Sequence, residues 1–149
     1  MYNMNAFDQI YKLYIESLDK LPDNYTHIKK VGRVTYYFYR DKKGHAIKHR
    51  IDGPAVVSDY GMEEFYNHGK KYKMTLSDKT IEYYDDNEQL HKDDGPAVIY
   101  PDGEVGWWVH GEHLDGFALD QHLKKLEIRN KLKSQKDKMF NDDFVDELT

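Results

Sequence analysis

A 22-residue segment of the chain occurs twice, and this duplication constrains the fold more than any other feature of the sequence. Residues 52–73 read DGPAVVSDYGMEEFYNHGKKYK and residues 94–115 read DGPAVIYPDGEVGWWVHGEHLD, so the copies align without a gap at an offset of 42. Eight of the 22 positions are identical, and each copy is preceded by a histidine three residues before its aspartate. Two copies of one sequence predict two copies of one local structure.

Each copy is typical of a β-hairpin. An Asp-Gly turn comes first, and a proline then opens a strand at a position where its missing N–H is tolerated. A second turn follows at Gly61 or Gly103, then an aromatic strand, then a His-Gly turn. Because a single hairpin is only marginally stable, we expect the copies to stack in one sheet. The residues assigned to the repeat turns are His49, Asp52, Gly53, His91, Asp94 and Gly95.

The segments that flank the repeats carry helical patterns. Apolar residues at helical spacing predict a helix over residues 5–21, with Asn5 as its N-cap, and a second helix over residues 117–133. The acidic tail 136–149 spaces apolar residues by four, which is typical of a short terminal helix. The predicted fold class is α+β: a single domain over residues 1–135 in which a twisted antiparallel β-meander of repeated hairpins, residues 33–115, lies between two helices.

The pattern H-x-x-DGPAV, followed by a glycine, two aromatic residues and a His-Gly turn, resembles the MORN-variant repeats of small proteins from tailed bacteriophages and some bacteria. The resemblance covers about residues 33–115. It implies repeated hairpins that serve as an interaction scaffold, with no shared catalytic residues and no cofactor. It also implies a phage-encoded accessory protein that binds and modulates, or inhibits, a host protein in the host cytoplasm.

Composition excludes several functions. The 149 residues contain no cysteine, so disulfides, thiolate metal sites and cysteine nucleophiles are ruled out. The first residues lack the basic and apolar regions of a signal peptide, and no apolar stretch is long enough to cross a bilayer, so we expect a cytoplasmic protein without a transmembrane segment. A net charge of −5 makes general affinity for nucleic acid unexpected.

Two alternatives to a binding protein remain. The pairs His49–Asp52 and His91–Asp94 contain the elements of a general base and an orienting carboxylate, which with a divalent metal would suit a small hydrolase or nuclease. Their duplication favours a structural role instead, and the His110-Gly-Glu-His sequence is explained by the repeat turn without a metal. Residues 33–50 interleave four aromatic rings with lysine and arginine, which is a pattern found in binders of single-stranded nucleic acid.

The leading functional hypothesis is a non-enzymatic module that binds another protein. Strand alternation places Trp107 and Trp108 on opposite faces of the sheet, and we assign the row of Trp107 to the core under the two helices. The other face should then stay open and bear Trp108 and Tyr66 as partner contacts, with Tyr37 and Tyr39 as weaker candidates. The sequence leaves open whether the chain also self-associates.

Overall fold

The fold, taken from a computed structural model that describes residues 5–148, is α+β, as the sequence predicts. All strand pairs are antiparallel. The elements are α1 (Ala6–Asp19), β1 (His27–Val31), β2 (Val34–Arg40), β3 (Ala46–Lys48), β4 (Val56–Ser58), β5 (Glu63–Asn67), β6 (Lys70–Thr75), β7 (Ile81–Tyr83), β8 (Val98–Ile99), β9 (Val105–Gly106), β10 (Trp108–Val109), β11 (Glu112–His113) and α2 (Gly116–Leu148).

The strands form a meander in which chain neighbours pair. A nine-stranded sheet has the order β1-β2-β4-β5-β6-β7-β8-β9, and β3 pairs with the far part of β2. A separate two-stranded sheet joins β10 to β11. The sheet therefore begins at residue 27, before the predicted start of the hairpin repeats at residue 33. The end of the first copy and the residues that follow it supply β6 and β7, which pair with each other and with their neighbours β5 and β8.

The two DGPAV segments occupy equivalent positions in one sheet. Ala55 and Ala97 are both fully buried, and Val56 and Val98 are each 3% exposed. These valines stand in β4 and β8, the strands that open each hairpin. The 42-residue offset therefore predicts the placement of both copies correctly.

The Asp-Gly turns match as well. Neither Gly53 nor Gly95 has a positive φ, and a Cβ added at either would meet the side chain three residues earlier, Arg50 in one copy and Lys92 in the other. Both glycines lie in a bend two residues before the buried alanine of their copy, and a side chain at either would contact the same neighbour of the repeat. That the two turns have the same conformation stays a prediction.

A β-bulge breaks the alternation of β6. Phe65 pairs with Lys73 and Tyr66 pairs with Lys71, so Tyr72 is an extra residue without a partner across the ladder. Lys71 consequently shares a face with Tyr66, whereas Lys73 shares the opposite face with Phe65. In the second copy the sheet breaks between β9 and β10 at the equivalent point.

The helices depart from the sequence prediction in extent and in packing. Helix α1 begins as expected, since the Asn5 side chain accepts a hydrogen bond from the Asp8 N–H at 2.8 Å, but it ends at Asp19. Helix α2 runs unbroken from Gly116 to Leu148, so the predicted end near residue 133 and the separate tail 136–149 are wrong. The reason is local: residues 117–148 contain no proline or glycine that would end a helix.

Candidate binding surface

The structure places two of the four predicted partner contacts in the interior. Tyr66 is 8% exposed and Tyr39 is 4% exposed, so the expectation that these rings lie on an open face is wrong. Tyr37 and Trp108 are half-buried; Tyr37 packs against the core, and Trp108 lies against the His113 ring with centroids 5.0 Å apart. A contact role for Trp108 or Tyr37 stays a prediction.

Tyr66 is buried because its face of the sheet carries the branched apolar side chains. Tyr36, Val56 and Glu64 lie in register across three strands, and Tyr66 follows Glu64 by two residues on that face. The phenol donates to Glu64 Oε2 at 3.0 Å and accepts from Lys48 Nζ at 3.4 Å. The ring is thus packed at its edge and hydrogen-bonded at its polar end. The core cluster is Ala55, Val56 and Tyr66, with Val34, Tyr36 and Tyr37 packed against it.

A second tyrosine pairs with a glutamate on the same face. The Tyr84 hydroxyl donates to Glu82, and Lys71 Nζ lies 4.8 Å from the centroid of the Tyr84 ring. Burial, reinforced by the glutamate beside each phenol, raises the pKa of Tyr66 and of Tyr84 well above the ordinary value. Both phenols stay protonated at neutral pH and act as fixed donors, not as bases. The sequence feature that could have predicted these hydrogen-bonded pairs is a glutamate two residues before a tyrosine in a strand.

Stacked histidines join the first and third turns of each repeat. The rings of His49 and His68 lie 4.0 Å apart with a 14° interplanar angle, and those of His91 and His110 lie 3.9 Å apart at 13°. In both pairs the first ring accepts a backbone N–H at 3.0 Å through Nδ1, from residue 68 in one copy and residue 110 in the other. An accepting Nδ1 places the ring proton on Nε2 in each case.

The two histidine pairs differ in what surrounds them. His49 is 1% exposed, and its Nε2 donates to the Asp23 carbonyl at 3.0 Å. His91 instead contacts the exposed Asp93 carboxylate at 3.0 Å, and His110 contacts Asp85 Oδ2 at 2.8 Å. The second pair therefore has two carboxylate partners, whereas the first has a backbone carbonyl and the Tyr39 hydroxyl.

In neither of the pairs His49–Asp52 and His91–Asp94 does the histidine bond to its aspartate. Asp52 accepts from Arg50 Nε at 3.1 Å, and this contact holds the pKa of the Asp52 carboxyl below its usual value. His49 bonds to the backbone of two other segments instead, so the pair cannot act as a base with an orienting carboxylate. Among the side chains that the structure describes, those of residues 5–13 and 20–141, no group of three or more histidines and carboxylates is arranged to hold a metal ion.

The basic residues near the repeats lie over aromatic rings. Arg50 stacks 4.0 Å from the centroid of Tyr37, and its counterpart Lys92 lies 4.1 Å from the centroid of Tyr83. Each contact is worth about 0.5–1 kcal/mol at a partly exposed site. Of the four rings in residues 33–50 that would stack on nucleic-acid bases, Phe38 and Tyr39 are buried, Tyr37 lies under Arg50, and Tyr36 packs against the core.

A groove of about 570 Å³ lies where α2 meets the sheet. Its basic side chains are Lys92, Arg129 and Lys133, and two aspartates, Asp93 and Asp94, lie beside them. Arg129 Nη2 donates to the Asp93 carbonyl at 2.9 Å and so fixes the helix to the sheet. Because the aspartates offset the cations, the groove is not a site for an anion. Its contacts hold α2 against the sheet.

Helix α1 has large apolar side chains that are exposed to solvent. Phe7, Ile10 and Tyr11 are 74%, 67% and 56% exposed and follow one another at helical spacing. Phe7 and Tyr11 stack with centroids 6.3 Å apart, so the stripe is continuous. The expectation that both helices cover one sheet face is wrong for residues 6–13 of α1, the part of this helix whose side chains the structure describes. Sequence reasoning missed this surface because an apolar stripe does not say what it packs against.

The fold and these contacts define an α+β protein with two copies of one β-hairpin repeat and an N-terminal helix whose first two turns expose apolar side chains. Comparisons with protein-family models, curated proteins and solved structures give no significant match. Within residues 5–148, neither helix combines the length and the apolar character that crossing a bilayer requires.

Proposed function

We propose that the chain is a non-enzymatic protein-binding module in which α1 docks into an apolar groove of a partner protein. The observation that carries the proposal is the exposure of the apolar stripe formed by Phe7, Ile10 and Tyr11. A helix of 14 residues is marginal in water by itself, and helices in proteins gain most of their stability by packing an amphipathic face. A partner groove would supply that packing in the helix-in-groove mode.

The repeat sheet supports the proposal of a binding module because it has the features of a structural scaffold. Its buried tyrosines, paired histidines and cation–aromatic contacts hold the strands together and leave no convergent set of catalytic groups among the described residues. The resemblance to MORN-variant repeats supports the finer proposal of a phage-encoded accessory protein that modulates a host protein. The same resemblance supports the host cytoplasm as the compartment.

The experiment compares three forms of the tagged protein in affinity capture. The parent should retain a partner that the variant Ile10→Asp loses, while the variant Trp108→Ala retains it. Burying one isoleucine is worth about 1.5–3 kcal/mol, so the purified partner should bind Ile10→Asp at least tenfold more weakly by calorimetry. Equal binding of the parent and Ile10→Asp, together with loss in Trp108→Ala, would place the contact on the sheet and reject the role of α1.

A second readout follows α1 directly. Backbone amides of residues 6–19 should exchange with solvent quickly in the isolated protein and slowly in the complex, because docking would stabilise the helix. Amides of β4 and β8, which belong to the buried repeat, should be protected in both states. Unchanged exchange of residues 6–19 in a complex of confirmed stoichiometry would contradict the proposal.

A further inference from the structure

The second copy of the repeat packs against a helix. His122 of α2 contacts the Trp107 ring with centroids 5.9 Å apart, and Arg129 Nη2 donates to the Asp93 carbonyl at 2.9 Å. Val109 and Asp93 border the same junction with α2. The repeat residues at this helix-packing surface are therefore Trp107, Asp93 and Val109.

The corresponding surface of the first copy is open. The 42-residue offset gives Phe65, Ile51 and Asn67 as the counterparts of those three residues, in the same order. A cavity of about 440 Å³ lies here, lined by Ile51, Asn67 and Tyr72, and the Tyr72 ring contacts that of Phe65 at 6.2 Å. Tyr72 also lines the groove under α2, so the two spaces adjoin. The first copy thus has the place for a helix that the second copy fills with α2.

The charge of the second copy matches the helix that it binds. Asp93 borders the junction beside Lys125 and Arg129 of α2. Residues 124–138, which continue this helix, hold seven cations against two acids. The first copy has Ile51 where the second has Asp93, so it lacks the carboxylate that faces these cations. A second α2 is therefore a poor occupant of the first copy.

The cavity of the first copy is basic. Its charged lining consists of Arg50, Lys70 and Lys71 against a single acid, Asp86. Arg50 is already paired with Asp52, so the two lysines supply the charge that an incoming group would meet. Lys70 Nζ donates to the Asp86 carbonyl at 3.2 Å, which leaves two of its three ammonium protons for another acceptor. An occupant with carboxylates complements this lining.

We propose that this cavity is a docking site for an acidic amphipathic helix of a partner protein. The helix places apolar side chains against Ile51 and Tyr72, which are 66% and 41% exposed, and carboxylates beside Lys70 and Lys71. The second copy shows that this side of the repeat accepts a helix, and the lysines of the first copy select the opposite charge. The site uses no residue of α1, so it goes beyond the proposed docking of that helix and does not depend on it.

A labelled peptide derived from α2 is the probe. It has the sequence of residues 117–133 with all five cations replaced by glutamate, so it keeps the apolar spacing of a helix known to pack on the repeat and reverses its charge. The control peptide has the native sequence. By fluorescence anisotropy, the full chain should bind the acidic peptide at least tenfold more tightly than the native one, and added salt should weaken the binding.

Variants of the full chain locate the site. Lys70→Glu combined with Lys71→Glu should reverse the preference between the two peptides, because the lining becomes acidic. The matched control combines Lys29→Glu with Lys30→Glu, an adjacent lysine pair on β1 outside the cavity, and should keep the preference for the acidic peptide. Ile51→Asp changes an exposed side chain, so the protein should fold and bind the acidic peptide at least tenfold more weakly.

The outcomes separate this site from α1. No binding of the acidic peptide at millimolar protein, or binding that the Lys70→Glu, Lys71→Glu protein and Ile51→Asp leave unchanged, would overturn the proposal. Tighter binding to Ile10→Asp than to the parent would show that α1 itself occupies the cavity, which would also overturn it. The parent and Ile10→Asp should bind the peptide equally, so partner capture through α1 is tested separately.

Discussion

Replacing His49 with phenylalanine should cost more stability than the same change at its repeat counterpart His91. His49 is 1% exposed and serves two backbone groups, the N–H of residue 68 and the carbonyl of residue 23. Phenylalanine fills a similar volume but bonds to neither, and each unsatisfied buried group costs about 1–3 kcal/mol. The loss for His49→Phe should therefore be roughly 2–6 kcal/mol, a large part of the total stability of a domain this size.

His91→Phe should lose about half as much. Its ring serves one backbone group, the N–H of residue 110, and its other contact is a carboxylate that is 80% exposed and can be hydrated instead. Equilibrium unfolding in urea, followed by tryptophan fluorescence, measures both losses if the slope with denaturant stays constant. His49→Asn is the control, because its Oδ1 can stand where Nδ1 stood and keep one of the two bonds.

The order of the three variants in free energy of unfolding shows whether the two hydrogen bonds of His49 to the backbone set the stability of the first repeat. We expect His49→Phe to be least stable, with His49→Asn and His91→Phe between it and the parent. A loss for His49→Phe that is equal to or smaller than that for His91→Phe would show that the two hydrogen bonds to the backbone do not set the stability of the first repeat.

Three further outcomes are expected. Burial lowers the pKa of His68, so the unfolded chain binds more protons than the folded protein, and the free energy of unfolding should fall as the pH drops below about 6.5. Asparagine tolerates the φ of +44° at this position, so His68→Asn should keep the turn and reduce that pH dependence. Urea titrations at successive pH values measure the difference. Gly103→Ala should cost about 1 kcal/mol because the φ of +89° is strained for alanine, whereas Gly95→Ala should change the melting temperature little. Because the phenol pKa values of Tyr66 and Tyr84 are raised, stability should decline above pH about 10, and ultraviolet titration should show these two tyrosines ionising only as the protein unfolds.

The sequence predicts the parts of the fold that depend on local pattern. The gapless offset places Ala55 and Ala97 in the same environment, and the helix signals at Asn5 and after Asp115 lie at real helices. Turn chemistry and strand alternation act over a few residues, so a single sequence contains what they need.

The sequence does not predict which sheet face is buried. Alternation puts Trp107 and Trp108 on opposite faces, but the extra residue Tyr72 in β6 shifts the pattern. Tyr66 gains its burial from Val56 on the neighbouring strand β4. Composition of one strand cannot reveal these cross-strand neighbours. For the same reason the histidine bonds to the backbone of distant turns are not visible in the motif H-x-x-DGPAV.

The apolar spacing in the sequence also does not predict how the helices pack. An amphipathic stripe predicts that α1 exists and has an apolar side, yet Phe7 and Ile10 remain exposed. The pattern states what a helix must bury and is silent on whether the surface that buries it belongs to the same chain. The candidate binding surface therefore emerges only once the exposure of these side chains is known.

The position at which α2 begins determines how long the repeat array can be. Residue 116 stands 42 residues after Met74 in β6, so the helix starts where the second round of the repeat would continue its counterpart of β6. Each round exposes an edge on which a further strand, from this chain or from another, could add. By replacing that strand, α2 terminates the array after two rounds. A chain with more rounds would carry the same terminator at its end and would grow by whole repeats without altering either terminus.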